Sequence, residues 1–192
     1  MTGRRSILVL LLALYLTAGD ASARVYLTVQ QALDTVFPPP AKVERRTLYL
    51  NEEQARRAAE AAGAAVDARV VPYYVGTSAG HVLGYAYFDT HLVRTLPETV
   101  LILVGPDTTI RRIDILSFDE PEDYLPSRKW LEQFPGRGSA DLGARQGIRA
   151  LTGATLSSRA VTQAAKRVLA LHRLFVTPPP SGEQDRIQEP RP

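Results

Sequence analysis

The segment ETVLILVGPDTTIRRIDILSF, residues 98–118, contains two apolar runs that are separated by the sequence Gly-Pro-Asp. Both runs are short and rich in β-branched residues, which is typical of strands, and Gly-Pro-Asp is typical of a turn. Because the connection is too short to hold a helix, the two strands must run antiparallel as a hairpin. This hairpin predicts a fold that is built on an antiparallel sheet rather than on βαβ units.

Other parts of the chain predict further strands and several helices. Three more strand-like runs precede the hairpin: KVERRTLYL (42–50), ARVVPYYVG (68–76) and HVLGYAYFD (81–89). Apolar residues at helical spacing predict helices in TVQQALDTVF (28–37), NEEQARRAAEAAG (51–63), a short segment at 130–134, and a last helix at 155–175. The segment SADLGARQGI (139–148) is predicted to be a loop.

The helix at 51–63 also carries the residues that begin and end a helix. Asn51 is predicted to cap its N-terminus, Gln54 stands at the capping-box position, and Gly63 is predicted to end it. All these elements together predict an α+β fold, in which a mainly antiparallel, curved sheet packs against helices. The C-terminal helix is predicted to start at the sequence Thr-Gly-Ala-Thr, residues 152–155.

The two ends of the chain have compositions that differ from the predicted domain, residues 24–176. Arg4 and Arg5 precede an apolar run that ends in small residues, so residues 1–23 are predicted to be a secretory signal peptide cleaved after Ala23. The alternative is an uncleaved N-terminal anchor, and both alternatives predict a periplasmic or otherwise extracytoplasmic domain. Residues 177–192 are Pro-rich and charged, and are predicted to be disordered.

Composition and spacing exclude several classes of function. The 192 residues include no cysteine, so disulfides, thiolate metal sites and c-type haem are excluded. The formal net charge is only +3, with no basic cluster interleaved with aromatic residues, and nucleic-acid binding is not expected. His81, His91 and His172 lack the spacing of metal ligands, and no nucleophile-elbow sequence is present.

The sequence LTGATLSS, residues 151–158, brings hydroxyl groups and a glycine to the predicted start of the last helix. The hydroxyls belong to Thr152, Thr155, Ser157 and Ser158, and Gly153 would let a ligand approach the backbone closely. A helix N-terminus binds anions because its first N–H groups are unpaired and its dipole is positive there. Residues alone leave two alternatives open: Thr152 or Thr155 merely caps the helix, or the segment is an anion site.

LTGATLSS resembles the [S/T]-G-A-T-x-[S/T] signature of the FMN-binding domain family, and the similarity extends over about residues 68–174. This family occurs in the flavin-bearing subunits of Na⁺-translocating NADH:quinone reductase, the Rnf complex and the nitrous-oxide regulator. The resemblance implies that FMN is the cofactor and that its phosphate is esterified to Thr155 by a flavin transferase. It implies that the cofactor site includes Thr152, Gly153, Ala154, Ser157 and Ser158.

The resemblance also implies an exported electron-transfer flavoprotein with a membrane or periplasmic redox partner. Tyr124 and His91 are the residues expected near the flavin ring. Family members often carry Asp six residues before the attached Thr, and Arg149 occupies that position here. This difference leaves open an alternative function, that of a flavin-free extracytoplasmic module of the same fold that binds a ligand or partner.

Overall fold

The computed structural model describes residues 24–143 and 147–177. The predicted signal peptide, residues 1–23, and all but the first residue of the predicted tail lie outside the described residues. Within the described residues, no helix is both long and apolar enough to span a bilayer.

A six-stranded antiparallel sheet forms the centre of the molecule. In space the strands follow the order β1-β6-β5-β4-β3-β2, so β2 to β6 form a meander in which each strand pairs with its neighbour in sequence. The predicted hairpin is confirmed as the β5–β6 pair. The strands are β1 (Arg24–Val25), β2 (Lys42–Tyr49), β3 (Val70–Ser78), β4 (His81–Leu92), β5 (Pro97–Val104) and β6 (Ile110–Phe118).

Five α-helices in the described part of the chain pack around the sheet, and the predicted α+β class is confirmed. Asn51 and Gln54 form the predicted capping box, and Gly63 ends that helix in the left-handed conformation at φ 59°. The helices are α1 (Val29–Val36), α2 (Glu52–Ala62), α3 (Arg128–Leu131), α4 (Ser139–Gly143) and α5 (Thr155–Leu171), with a 3₁₀ turn at Glu122–Tyr124 and a π-helical turn at His172–Val176.

Three local predictions were wrong. The segment predicted as a loop contains α4, because Asp141 accepts the N–H of Gly138 at 2.8 Å and Leu142 is buried in the core. The short helix begins earlier than predicted because Ser127 caps it. The apolar spacing of the last helix predicts that Leu156 belongs to its inward-facing stripe, but this residue of the first turn is 48% exposed.

Each face of the sheet is covered by different helices. On one face, α5 packs Val161, Ala164 and Val168 against buried residues of β4 and β5 such as Tyr87 and Ile102. The opposite face is covered by α1 and the residue that follows it, through Ala32, Leu33 and Phe37, packed on Ala86, Leu101 and Leu116. A third cluster joins α2 to the end of α5. The long helix α5 is therefore held against the central strands along most of its length.

The packing of Phe37 on the sheet generates a prediction about Gly76. A Cβ at position 76 would overlap the ring of Phe37, which is 3% exposed. Gly76→Ala should therefore lower the free energy of unfolding by about 1–3 kcal/mol, the usual effect of overfilling a packed site. Urea denaturation measures the change.

Gly138→Ala is the matched control, because its Cβ would meet Asp141 Oδ2 at an ordinary 3.7 Å. This variant should stay within about 0.5 kcal/mol of the wild type. If both variants lost the same free energy, packing against Phe37 would not be the cause.

Candidate functional site

A tight turn leads directly into the N-terminus of α5. Gly153 adopts φ +86°, a conformation that residues with a Cβ rarely adopt, and the N–H of Ala154 donates to the carbonyl of Leu151 at 3.1 Å. Ala154 is the buried N-cap residue and Thr155 is the first residue of the helix, with an exposed side chain. The sequence therefore places the threonine hydroxyl at the surface, beside the first turn of α5.

The N-terminus of α5 has no side-chain cap, so the capping interpretation is wrong. The Thr155 hydroxyl donates to the carbonyl of Leu151 at 3.3 Å, and the Ser158 hydroxyl donates to the carbonyl of Thr155 at 3.0 Å. The first backbone bond of the helix runs from Ser158 N–H to Ala154. The three N–H groups before it therefore remain as donors at the positive end of the helix.

A cavity of about 220 Å³ adjoins this helix end. Thr155, Leu156 and Ser157 line it from α5, and Tyr124 and Arg94 line it from two other segments. Ser157 is 1% exposed, and its buried hydroxyl has no hydrogen-bond partner. A larger groove of about 660 Å³ lies between β6 and residues 125–135, but none of the predicted site residues lines it.

The structure brings only part of the predicted site to this cavity. Gly153, Ala154, Thr155, Ser157 and Tyr124 line it together. Thr152 is exposed in the preceding turn and is not among the lining residues. Ser158 is buried behind the turn, where its hydroxyl oxygen accepts the N–H of Leu151 at 3.4 Å.

Two described residues that line the cavity were not predicted as site residues, Leu156 and Arg94, and of the two only Arg94 is charged. It lies in the β4–β5 turn, residues 93–96, and its guanidinium carbon is 5.5 Å from the centroid of the Tyr124 ring. A carboxylate oxygen of Glu120 holds this turn by accepting the N–H groups of Arg94, Thr95 and Leu96 at 3.2, 2.8 and 3.0 Å. The N–H groups of Thr95 and Leu96 hold the pKa of Glu120 below its ordinary value.

Arg149 makes hydrogen bonds through its backbone, and it does not line the cavity. Its N–H donates to Gln133 Oε1 at 3.0 Å, and its carbonyl accepts the indole N–H of Trp130 at 2.6 Å. Its side chain is exposed and does not line the cavity. The cation that faces the start of α5 is therefore Arg94, which no local sequence pattern around LTGATLSS could indicate.

His91 belongs to a separate buried cluster. Its Nδ1 lies 2.8 Å from Asp89 and its Nε2 lies 3.1 Å from Glu98, while Arg167 of α5 donates two hydrogen bonds to Asp89. His91 does not line the cavity at the start of α5. Both of its ring nitrogens are engaged, so the cluster joins β4, β5 and α5 as a structural ion-pair network.

Burial and charge oppose one another in this cluster. Burial disfavours the imidazolium, but hydrogen bonds to Asp89 and Glu98 outweigh it and raise the pKa of His91. Burial also opposes ionisation of Asp89, yet its bonds from His91 and Arg167 lower the pKa of Asp89. For Glu98 burial dominates and raises the pKa. The folded state thus favours a charged His91.

Residues 96–170 match the family model described as the FMN-binding domain. Over these residues the chain is similar to the FMN-binding domain family. The matched range is less than half of the 192 residues, and it includes Tyr124 and the whole segment from Thr152 to Ser158. No curated protein and no solved structure shows significant similarity to the chain. The match supports FMN as the cofactor and suggests flavin binding.

Two observations of the structure fit the phosphate end of FMN to this FMN-binding domain. The N-terminus of α5 is uncapped, and the buried Ser157 hydroxyl beside it lacks a partner. Both are donors that a phosphate oxygen can satisfy. In residues 24–143 and 147–177, no group of three His, Asp or Glu side chains could hold a metal ion.

The raised pKa of His91 predicts how stability depends on pH. Because the folded state binds the His91 proton more tightly than the unfolded chain, its contribution is complete below the ordinary imidazole pKa of 6.5 and is lost as pH rises through the folded pKa. His172 gives the opposite slope up to about pH 7.5, since burial lowers its pKa to about 4 and only the unfolded chain binds its proton there. The contribution of His91 to the free energy of unfolding should therefore fall from about pH 6.5 upward, and it must be separated from that of His172.

His91→Gln should remove this contribution while leaving that of His172, so the free energy of unfolding of the wild type relative to the variant should be larger at about pH 6 than at about pH 8.5, as measured by urea denaturation. His81→Gln is the matched control, because His81 is exposed at the start of β4 and has no role in the cluster. A His91→Gln variant with the same pH slope as the wild type would contradict the prediction.

Proposed function

We propose that this protein is an exported electron-transfer flavoprotein that carries FMN on Thr155 through a phosphoester bond. It exchanges electrons between a membrane redox partner and another extracytoplasmic component. The observation that carries the proposal is the exposed Thr155 hydroxyl at an uncapped helix N-terminus, within the residues that match the FMN-binding domain.

The start of α5 has the chemistry that a flavin phosphate requires. The unpaired N–H groups and the helix dipole favour a negative charge, and their effect is largest within the first turn. The Ser157 hydroxyl adds a donor from inside the cavity. Gly153 carries no side chain, so the turn leaves the backbone open to the ligand.

In the proposed attachment reaction, the Thr155 hydroxyl displaces AMP from the flavin phosphate of FAD. The Thr155 Oγ–P bond forms, the anhydride P–O bond of FAD breaks, the hydroxyl proton is lost and AMP leaves. A flavin transferase carries out this maturation step. The tether retains the cofactor in a compartment outside the cytoplasm, where an exported protein cannot rely on a cytoplasmic pool of FMN.

The flavin ring is expected to lie outside the cavity. At about 220 Å³, the cavity is smaller than the pockets of roughly 300 Å³ and more that enclose drug-sized ligands. It therefore accommodates the phosphate end, while the exposed Leu156 and the ring of Tyr124 lie at its edge. FMN supplies the electron-transfer chemistry, and the protein holds it where a partner can reach it.

Removing the Thr155 hydroxyl tests the attachment directly. Thr155→Val, expressed in a host that contains its own flavin transferase, should lose the FMN mass increment and the flavin fluorescence on a denaturing gel. The variant should still fold, because only the 3.3 Å bond to Leu151 is lost, which costs about 1 kcal/mol. Mass spectrometry of the intact chain measures the loading.

Thr152→Val is the matched control, since Thr152 is exposed in the same segment but does not line the cavity. It should keep its flavin. Flavin that persists on Thr155→Val would place the attachment on another hydroxyl. A native protein without any flavin would favour the flavin-free binding module.

The residue at position 149 generates a second test of maturation. A transferase whose usual substrates carry Asp at this position should load the wild-type chain poorly, and Arg149→Asp should raise the amount of flavin per polypeptide. The fold should tolerate the change, because Arg149 contacts Trp130 and Gln133 only through its backbone. Equal loading of both chains would show that the transferase does not read this position.

A further inference from the structure

We propose that Arg94 recognises the phosphate of the flavin, and so makes the site selective for phosphorylated flavin over riboflavin. This inference rests on the proposed function, because it assigns the phosphate end of FMN to the cavity at the start of α5. The inference gives Arg94 a role in ligand specificity. Arg94 precedes the matched range and lies 61 positions before Thr155 in the chain.

The position of Arg94 is fixed by its neighbours. Glu120 accepts three consecutive N–H groups of the β4–β5 turn, so the backbone that carries Arg94 is held in place. The guanidinium then lies over the ring of Tyr124 at 5.5 Å, a favourable cation–π distance. Glu120 and Tyr124 therefore direct the cation to the same cavity that Thr155 and Ser157 line.

The charge of Arg94 is not neutralised by a carboxylate. Other arginines of the molecule pair with acidic side chains, as Arg167 does with Asp89 and Arg111 does with Asp107. Within residues 24–143 and 147–177, no such ion pair involves Arg94. The Glu120 oxygen nearest to it is engaged with the N–H groups of the turn. The N–H groups of the guanidinium thus stay available for an anion.

The rest of the cavity has matching chemistry. Among the residues that the structure describes, Arg94 is the only charged one that lines this cavity, and no described carboxylate in the lining repels an anion. The uncapped start of α5 supplies backbone N–H groups, and the buried Ser157 hydroxyl supplies a donor without a partner. A planar guanidinium binds two phosphate oxygens at once and adds a full positive charge to the partial charge of the helix end. A phosphate monoester or diester is the group that satisfies all three.

The test compares two flavins that differ only in the phosphate. The full chain is produced in cells without a flavin transferase, so that Thr155 stays unmodified, and is titrated with FMN and with riboflavin up to millimolar concentration. The wild type should bind FMN more tightly. Arg94→Gln should weaken FMN binding about 10- to 100-fold, the range of a charge-assisted hydrogen bond, and leave riboflavin binding unchanged. Inorganic phosphate should compete with FMN for the wild type alone.

Two controls make the result specific. Arg94→Lys should restore part of the selectivity, because it keeps the charge but loses the planar pair of donors. Arg149→Gln removes the arginine that is nearer in sequence but outside the cavity, and it should bind both flavins like the wild type. Near-ultraviolet circular dichroism and urea denaturation verify that each variant is folded.

The opposite results overturn the inference without affecting the proposed function. One such result is a wild type that binds both flavins with equal affinity or binds neither. Another is an Arg94→Gln variant that loses affinity for both flavins equally, or an Arg149→Gln variant that loses the preference for FMN. The proposed function is judged separately, by covalent flavin on the protein from its own host. If the purified protein prefers FMN to riboflavin but carries no flavin in its own host, the role of Arg94 in phosphate binding would be supported and the proposed function would be overturned.

Discussion

The packing of α5 on the central strands is the constraint on which the rest of the structure depends. Small residues on its inner face, including Ala160, Ala164 and Ala165, let the helix axis approach the sheet closely, and Val161 and Val168 fill the space between them. A helix held along this length cannot shift without exposing apolar surface. Its N-terminus is therefore fixed near the β4–β5 turn and the 3₁₀ turn that carries Tyr124.

The rigid position of α5 explains why a partly unsatisfied site is stable. Its first turn keeps three unpaired N–H groups, and the Ser157 hydroxyl is buried without a partner. An unsatisfied buried polar group costs roughly 1–3 kcal/mol, which the extensive core beneath the helix offsets. Unsatisfied donors on a fixed scaffold are characteristic of a binding site, because a ligand can recover the free energy that the folded chain lacks.

The two clusters of charge in this molecule differ in whether their groups are already paired. In the His91 cluster, His91 is hydrogen-bonded to Asp89 and Glu98, and Arg167 donates to Asp89. These bonds connect β4 and β5 to α5. Around Arg94, the carboxylate of Glu120 binds backbone N–H groups, and the guanidinium has no acidic ion-pair partner in the described part of the chain. Paired charges stabilise the fold, whereas a held but unpaired charge can bind a ligand.

The sequence by itself determined most of the elements and the start of the last helix. Alternation and turn residues predicted the β5–β6 hairpin, Asn51 and Gln54 predicted the start of α2, and the Thr-Gly-Ala-Thr sequence predicted where α5 begins. These features are local, since each depends on residues a few positions apart. The same local patterns indicated His91 as a ring neighbour and left Thr155 as a possible cap, because they do not show what lies opposite a side chain.

Only the tertiary structure decided which distant residues meet. Arg94 reaches the start of α5 because antiparallel pairing places the β4–β5 turn at one end of the sheet and α5 crosses that face. His91 is committed to Glu98 because the two residues are cross-strand neighbours in the β4–β5 register. Register and helix docking come from the summed burial of many side chains, so no short segment of the sequence encodes them.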